Sequence, residues 1–351
     1  MIFVTGGNGF LGRAVCRALL DRGFNSWAPT SAELDLLRHN DVSSTVWRKH
    51  CEQGIPCIIH LAADCGGIGY NRTYPYRLWH DNLAMGLTVL NLAIALDLPL
   101  VMVGTTCSYP KMCPVPFRED DIWNGYPEET NAPYGIAKRA LLAGFLAAKA
   151  GLALYRGAYL ILANLYGPGD KIDRRAHVIP DLFRKVVAAE GRGTLNLMGD
   201  GSPTRDFLWV DDAAEAIAMA AQRSINGRLD MPVLNIGTGV ETSISSLAKL
   251  VQRVMGVELP IRWHPNQPGG QPRRALDTTR AKEVLGWKAR TPLIRGLELL
   301  AKEYSSGSGS RASLDTKAGS VPPCEEGTST PTTRKRAGRG KRMPATSSRK
   351  R

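Results

Sequence analysis

The chain has 351 residues, 43% of them hydrophobic, and carries 45 Lys and Arg against 32 Asp and Glu, a formal net charge of +13. At roughly 150 residues per domain, the length suits about two domains, or one large domain with a lobe. No apolar run approaches the length of a membrane span, and no basic stretch followed by an apolar one precedes the first strand, so a cytoplasmic protein is expected and a membrane one is not. The seven cysteines, at 16, 51, 57, 65, 107, 113 and 324, form no C-x-x-C pair and have no histidines at metal spacing. Reduced thiols and no metal site are expected.

Ile2-Phe3-Val4 reads as a short strand, followed by Thr5-Gly6-Gly7-Asn8-Gly9-Phe10-Leu11-Gly12 and a helical pattern from Arg13 to Leu20. A glycine-rich turn between strand and helix is where backbone can approach a pyrophosphate, and the helix N-terminus supplies free N–H groups and positive potential. The spacing is G-x-x-G-x-x-G, not the G-x-G-x-x-G of ordinary dehydrogenases. The second strand is expected near Asn25 to Ala28, closing at Pro29-Thr30-Ser31. A carboxylate at that end would take the ribose hydroxyls of NAD and repel the extra phosphate of NADP. Thr30 and Ser31 stand there, and Glu33 reads as the start of the next segment, so NADP(H) is the expected cofactor, with NAD(H) second.

Cys57 to Ala63 reads as a buried strand running into Ala62 and Ala63, small enough for a dinucleotide to lie across the strand end. A long helix is expected from Asp81-Asn82 to Leu96. Leu100 to Gly104 is the next strand, running into Thr105-Thr106-Cys107-Ser108-Tyr109. Alternating strands and helices predict an α/β fold, a Rossmann-type doubly wound parallel sheet with ligands at the carboxyl ends of its strands. Thr105, Cys107 and Tyr134 should all face the cofactor.

Tyr134 and Lys138 lie four apart behind Pro133, so on a helix they share one face. An ammonium beside a phenol favours the phenolate, which should lower the tyrosine pKa from about 10 toward the working range. Such a tyrosine can exchange a proton with a carbinol oxygen.

The segments TGGNGFLG, HLAADCGGIGYN, GTTCSYPK, ETNAPYGIAK, NLYGPGD, HVIP, RDFLWVDD and LNIGTGV run in order through residues 1 to about 304. Together they resemble the extended short-chain dehydrogenases/reductases of the NAD-dependent epimerase/dehydratase family, and among these the GDP-L-fucose synthase branch. That resemblance implies reduction and 3,5-epimerisation of a nucleotide-linked 4-keto-6-deoxyhexose, GDP-4-dehydro-6-deoxy-D-mannose above all, by a homodimer. It implies Tyr134 as proton donor at C4, Thr105 as hydrogen-bond donor to the same oxygen, and Lys138 on the nicotinamide ribose. Cys107 and His177 would exchange the protons at C3 and C5, carbons made acidic by the 4-keto group. Gly6 to Gly12, Ala62, Ala63, Gly104, Asn164, Leu165 and His177 would complete the cofactor site, and Lys185 and Arg205 would bind the nucleotide-sugar.

Three features depart from the branch: Met198 where a tryptophan is usual, Gly269 where an aspartate is usual, and the basic run Lys171-Ile172-Asp173-Arg174-Arg175. They leave open an NAD-retaining epimerase or a 4-ketoreductase for another nucleotide sugar. A 4,6-dehydratase would carry an Asp-Glu pair after Thr105, where Thr106-Cys107 stand. A redox-sensing binding protein on the same fold would commonly have lost the tyrosine or the lysine.

Residues 1–165 are expected to form the dinucleotide-binding domain, with some later segments returning to it, and 166–304 mainly a substrate lobe. Residues 305–351 hold eleven Lys or Arg against three Asp or Glu, +8 of the +13, with almost no large apolar residue. Such a tail cannot bury enough surface to fold. It can touch anionic surfaces or nucleic acid, but lacks the aromatic residues on which bases stack.

Overall fold

The computed structural model describes residues 1–305 apart from 152–155, 171, 174, 190–192, 228, 230, 231 and 267–269. The basic tail and Gly269 therefore lie outside the described residues. Ile2–Thr5 (β1) is buried along its whole length, as a strand covered on both faces by helices must be. The glycine turn leads into Phe10–Leu20 (α1), and Ser26–Trp27 (β2) pairs in parallel with β1. His39–Gln53 (α2) ends on Gly54, whose φ of 61° is the left-handed conformation glycine tolerates at a helix end. Ile58–His60 (β3) returns to the other side of β1.

After the short Ile68–Thr73 (α3) comes Pro75–Ala95 (α4), which starts two turns before the expected Asp81-Asn82. Pro75 occupies the first turn, where the missing N–H costs nothing. Asn82, expected at the helix start, is instead a buried tie inside the helix, giving its amide to Leu78 O at 2.7 Å and Asp64 O at 2.8 Å. Leu100–Thr105 (β4), Ala132–Ala150 (α5) and Gly157–Leu162 (β5) continue the parallel order.

Asn164–Tyr166 (β6), Val178–Ala188 (α6), Leu195–Met198 (β7), Thr204–Arg205 (β8), Phe207–Trp209 (β9) and Val210–Ile225 (α7) follow. Val233–Ile236 (β10) then goes back to the main sheet and pairs with β5, completing six strands in the order β10-β5-β4-β3-β1-β2. The chain reverses direction across the sheet between β1 and β3, and that is where an open α/β sheet leaves a crevice at its strand ends. Thr242–Ser243 (β11) pairs with β8, and Ile244–Met255 (α8) leads to Ile261–His264 (β12), which pairs with β7. Thr279–Leu285 (α9) and Leu293–Ser305 (α10) close the described chain.

Two apolar cores result. One surrounds the six-stranded sheet, with Phe3, Ile58, Val101, Leu160 and Leu234 all fully buried. The other joins Tyr166, Phe183, Trp209, Leu247 and Leu297 under the smaller strands. Among the described residues no helix is long and apolar enough to cross a membrane.

Candidate active site

The glycine turn is built for close approach. Gly9 donates its N–H to Gly6 O at 3.0 Å and precedes α1 with no side-chain cap, and no acidic residue stands in the first turn. The helix therefore opens toward the cavity with uncapped N–H groups. A Cβ on Gly12 would lie 2.1 Å from Gly6 O, and Gly6 has a φ of +69° with Ala62 N in the way of any side chain. Thr5 Oγ1 accepts from the N–H groups of Leu61 and Ala62 at 3.2 and 3.3 Å and bonds His60 Nδ1 at 2.8 Å, fixing the end of β3 against that turn. Burial, then the Lys138 charge, lowers the His60 pKa to about 3, so its ring stays neutral. This cradle fits the pyrophosphate of a dinucleotide.

A cavity of about 910 Å³ runs from the turn across the ends of β3, β4 and β6 to α6. Every residue expected at the site lines it except Gly7, which sits beneath the turn, where a Cβ would meet Ala28 Cβ at 2.4 Å. Glycine at position 7 is what that packing requires. At the β2 end, Thr30, Ser31 and Asn8 line the cavity while Glu33 does not. Its carboxylate turns back to accept the Thr30 N–H at 2.8 Å and the Thr30 hydroxyl at 2.9 Å, bonds that hold its pKa down. Asp35, also on the wall, accepts from Leu37 N at 3.0 Å and faces Arg38 at 3.7 Å.

At the other end β4 stops at Thr105, and a 3-10 turn over Thr106–Ser108 carries Cys107. Thr105 Oγ1 accepts the Cys107 N–H at 3.2 Å. α5 packs so closely on this turn that a Cβ on Gly135 would stand 2.1 Å from Cys107 O. Glycine after the tyrosine is thus what lets Tyr134 and Cys107 share a wall. The start of α5 is pinned by buried polar groups. Asn131 gives its amide to Glu128 at 2.6 Å and accepts that of Asn71 at 2.9 Å.

Lys138 is buried and donates to Val103 O at 3.1 Å; burial lowers its pKa to about 8. The expectation for Tyr134 runs the other way in the structure. Burial raises the phenol well above its ordinary value, and the neighbouring Cys65 and Cys107, then Tyr159 and Asp64, push it further. Desolvation outweighs the ammonium one turn away, so the Tyr134 phenol stays protonated.

His177 stands immediately before α6, its side chain 47% exposed and its Nδ1 3.8 Å from Asp170 Oδ2. Lys185 is ion-paired with Asp181 at 2.8 Å, and Arg205 is buried, giving Nη1 to Thr204 O and Gln271 O at 2.7 Å each. Met198 lines the same end and is exposed.

The sequence reading passed over two groups. Asp64 accepts the Tyr70 hydroxyl at 2.9 Å and the Arg77 guanidinium at 3.1 Å, with Arg175 at 3.9 Å, so it ties the β3 end to the segment that delivers His177. Arg274 is buried and donates Nη1 to Cys107 Sγ at 3.4 Å. Its only visible signal was a basic pair running straight into the apolar Ala275-Leu276.

Residues 2–237 match the NAD dependent epimerase/dehydratase family. The chain belongs to that family. It is 36% identical over 304 residues to GDP-L-fucose synthase 1 of Arabidopsis thaliana, covering 84% of this chain and 90% of that one. It is 34% identical over 313 residues to the probable GDP-L-fucose synthase 1 of Oryza sativa subsp. japonica, covering 86% and 91%. Among solved structures, UDP-glucose 4-epimerase of Thermotoga maritima superposes with a TM-score of 0.75 at 26% identity, covering 88% of this chain and 99% of that one.

Proposed function

We propose that the chain is an NADP(H)-dependent epimerase and reductase of a nucleotide-linked 4-keto-6-deoxyhexose, converting GDP-4-dehydro-6-deoxy-D-mannose to GDP-L-fucose. The observation that carries this reading is that Thr105, Cys107, Tyr134, Lys138 and His177 open on the same cavity as the glycine turn. The relatives named GDP-L-fucose synthase support the same substrate class.

When bound, the nicotinamide supplies hydride to C4. Tyr134 gives its proton to the C4 oxygen, and the Thr105 hydroxyl donates to that oxygen while its own lone pair is taken by the Cys107 N–H. Lys138 holds the nicotinamide ribose. Cys107 and His177 exchange the protons at C3 and C5, where a carbanion is delocalised into the 4-keto group. Arg205 and Lys185 face the charged nucleotide part of the substrate, and guanidinium suits a pyrophosphate.

The experiment is NADPH oxidation with a panel of nucleotide-linked 4-keto-6-deoxy sugars, with product stereochemistry read by NMR. Turnover of the GDP-linked 4-keto-6-deoxymannose to the L-fuco product is expected. Turnover confined to another sugar, or no inversion at C3 and C5, sinks the substrate assignment.

For the cofactor, Ser31 lines the wall where the additional phosphate would lie, Glu33 is turned onto both Thr30 donors and off the wall, and the Asp35 carboxylate on the wall is engaged by the Leu37 N–H and Arg38. Fluorescence titration is expected to give tighter binding of NADPH than of NADH. The reverse order, or an NAD that survives purification, would favour the NAD-retaining epimerase.

A further inference from the structure

Cys65 and Cys107 stand at the same level beyond two neighbouring strands. β3 and β4 pair in parallel, with Ile58 opposite Leu100, Ile59 opposite Val101 and His60 opposite Met102. Partners on the two strands differ by 42 in number, and so do Cys65 and Cys107. Each cysteine lies five residues past the His60–Met102 pair. A disulfide spans Cα atoms about 4.4–6.8 Å apart, which brackets the spacing of about 4.8 Å between paired strands. Of the cysteines among the described residues, only these two line the cavity, and both are half-buried thiols.

The backbone around each is anchored. Asp64, just before Cys65, donates its N–H to Asn82 Oδ1 at 3.2 Å and takes the Asn82 amide on its carbonyl at 2.8 Å. Gly67, two residues after Cys65, donates its N–H to Arg175 O at 3.2 Å. On the other side, Cys107 gives its N–H to Thr105 Oγ1, and Gly135 packs against its carbonyl. The two side chains converge on one group. After burial itself, Cys65 and Cys107 are the residues that bear most on the Tyr134 phenol.

We infer that Cys65 and Cys107 are a redox modification site, a thiol pair that closes into a reversible disulfide on the wall of the cavity. The oxidant is a peroxide. Two S–H bonds and the O–O bond break, one S–S bond forms, and hydrogen peroxide leaves as two waters. A dithiol reverses the step by exchange, becoming a disulfide itself. The bridge rests on the register and the shared cavity, whereas its effect on turnover rests on the epimerase and reductase reading above. Once joined, Cys107 has no thiol with which to exchange a proton, and the bridge occupies the wall beside the Tyr134 hydroxyl that the sugar must reach. A pair that is reduced at rest and bridges on oxidation acts as a sensor, unlike a structural disulfide.

The test treats the full chain with hydrogen peroxide, blocks remaining thiols with N-ethylmaleimide and maps the non-reduced digest by mass spectrometry. Cleavage at Lys and Arg and before Asp isolates residues 64–72 and 97–111, each with a single cysteine. These two peptides should be recovered joined, from protein that runs as a single chain. NADPH oxidation should be lost in proportion to the bridged fraction, and dithiothreitol should restore both. Cys65→Ser should give no joined peptide and should keep ketone reduction through the same treatment.

Recovery of the two peptides separately, from wild-type protein whose exposed Cys51 has been oxidised, overturns the inference. That result needs no variant, so it holds even if Cys65→Ser fails to fold. A joined peptide found only between two chains also overturns it, as does equal inactivation of the folded Cys65→Ser protein. A joined peptide with undiminished turnover removes the closing of the site. The two readings fail separately. A joined peptide in a protein that turns over none of the nucleotide sugars keeps the bridge and removes the enzyme assignment, whereas turnover with no joined peptide does the reverse.

Discussion

Tyr134→Phe is expected to lower the reduction rate by about 10²–10⁴-fold, the usual loss when a general acid is removed, while dinucleotide affinity stays nearly unchanged. The ring keeps its place on α5 between the glycine contact at Gly135 and the wall shared with Cys107. Only the hydroxyl goes. Burial holds the wild-type phenol protonated through the neutral range, so its proton is present below its raised pKa and lost only under alkaline conditions. The reduction rate should therefore fall on the alkaline side and not near neutrality. NADPH oxidation against pH checks both statements, and near-normal turnover in the variant would take Tyr134 out of the mechanism.

The second large effect divides the two halves of the reaction. Cys107→Ser should slow incorporation of deuterium from D₂O at C3 and C5 by about 10²–10⁴-fold, because a serine hydroxyl is a far weaker base than a thiolate. The proposed mechanism assigns reduction to Thr105, Tyr134 and Lys138, so ketone reduction should persist and yield an unepimerised 6-deoxy sugar. NMR of the product and of residual substrate reads both outcomes. A wild-type protein that reduces its substrate with no deuterium entering either carbon would be a simple 4-ketoreductase, with Cys107 a packed thiol.

Much of this site was legible because its parts are local in sequence. The glycine turn declares itself between a strand and a helix, and Tyr134 and Lys138 declare themselves by their spacing. Thr105 and Cys107 follow from where an apolar strand stops. What stayed hidden depends on residues brought together from far away. Arg274 meets Cys107 across 167 positions, and Tyr70 and Arg175 reach Asp64 from separate segments. The direction of the Tyr134 shift was hidden for another reason. Spacing places a lysine near the phenol, but it cannot report how deeply both are buried, and burial decides which charge state is favoured. The early start of α4 is a third case, since Asp81-Asn82 reads as a helix start and Asn82 becomes an internal tie only once Asp64 is placed beside it.

The return of β10 to the main sheet has a consequence for how the chain folds as it is made. β5, Gly157–Leu162, is buried at every residue and pairs along one side with β4 and along the other with β10, which begins at Val233. On a growing chain those six apolar residues present an open strand edge until about seventy more have been added, the span from Leu162 to Val233. Such an edge is a template for pairing with another chain, and sequence-distant partners close slowly. Synthesis from the N-terminus thus leaves the dinucleotide half exposed to misassembly for the interval in which much of the smaller core is being made.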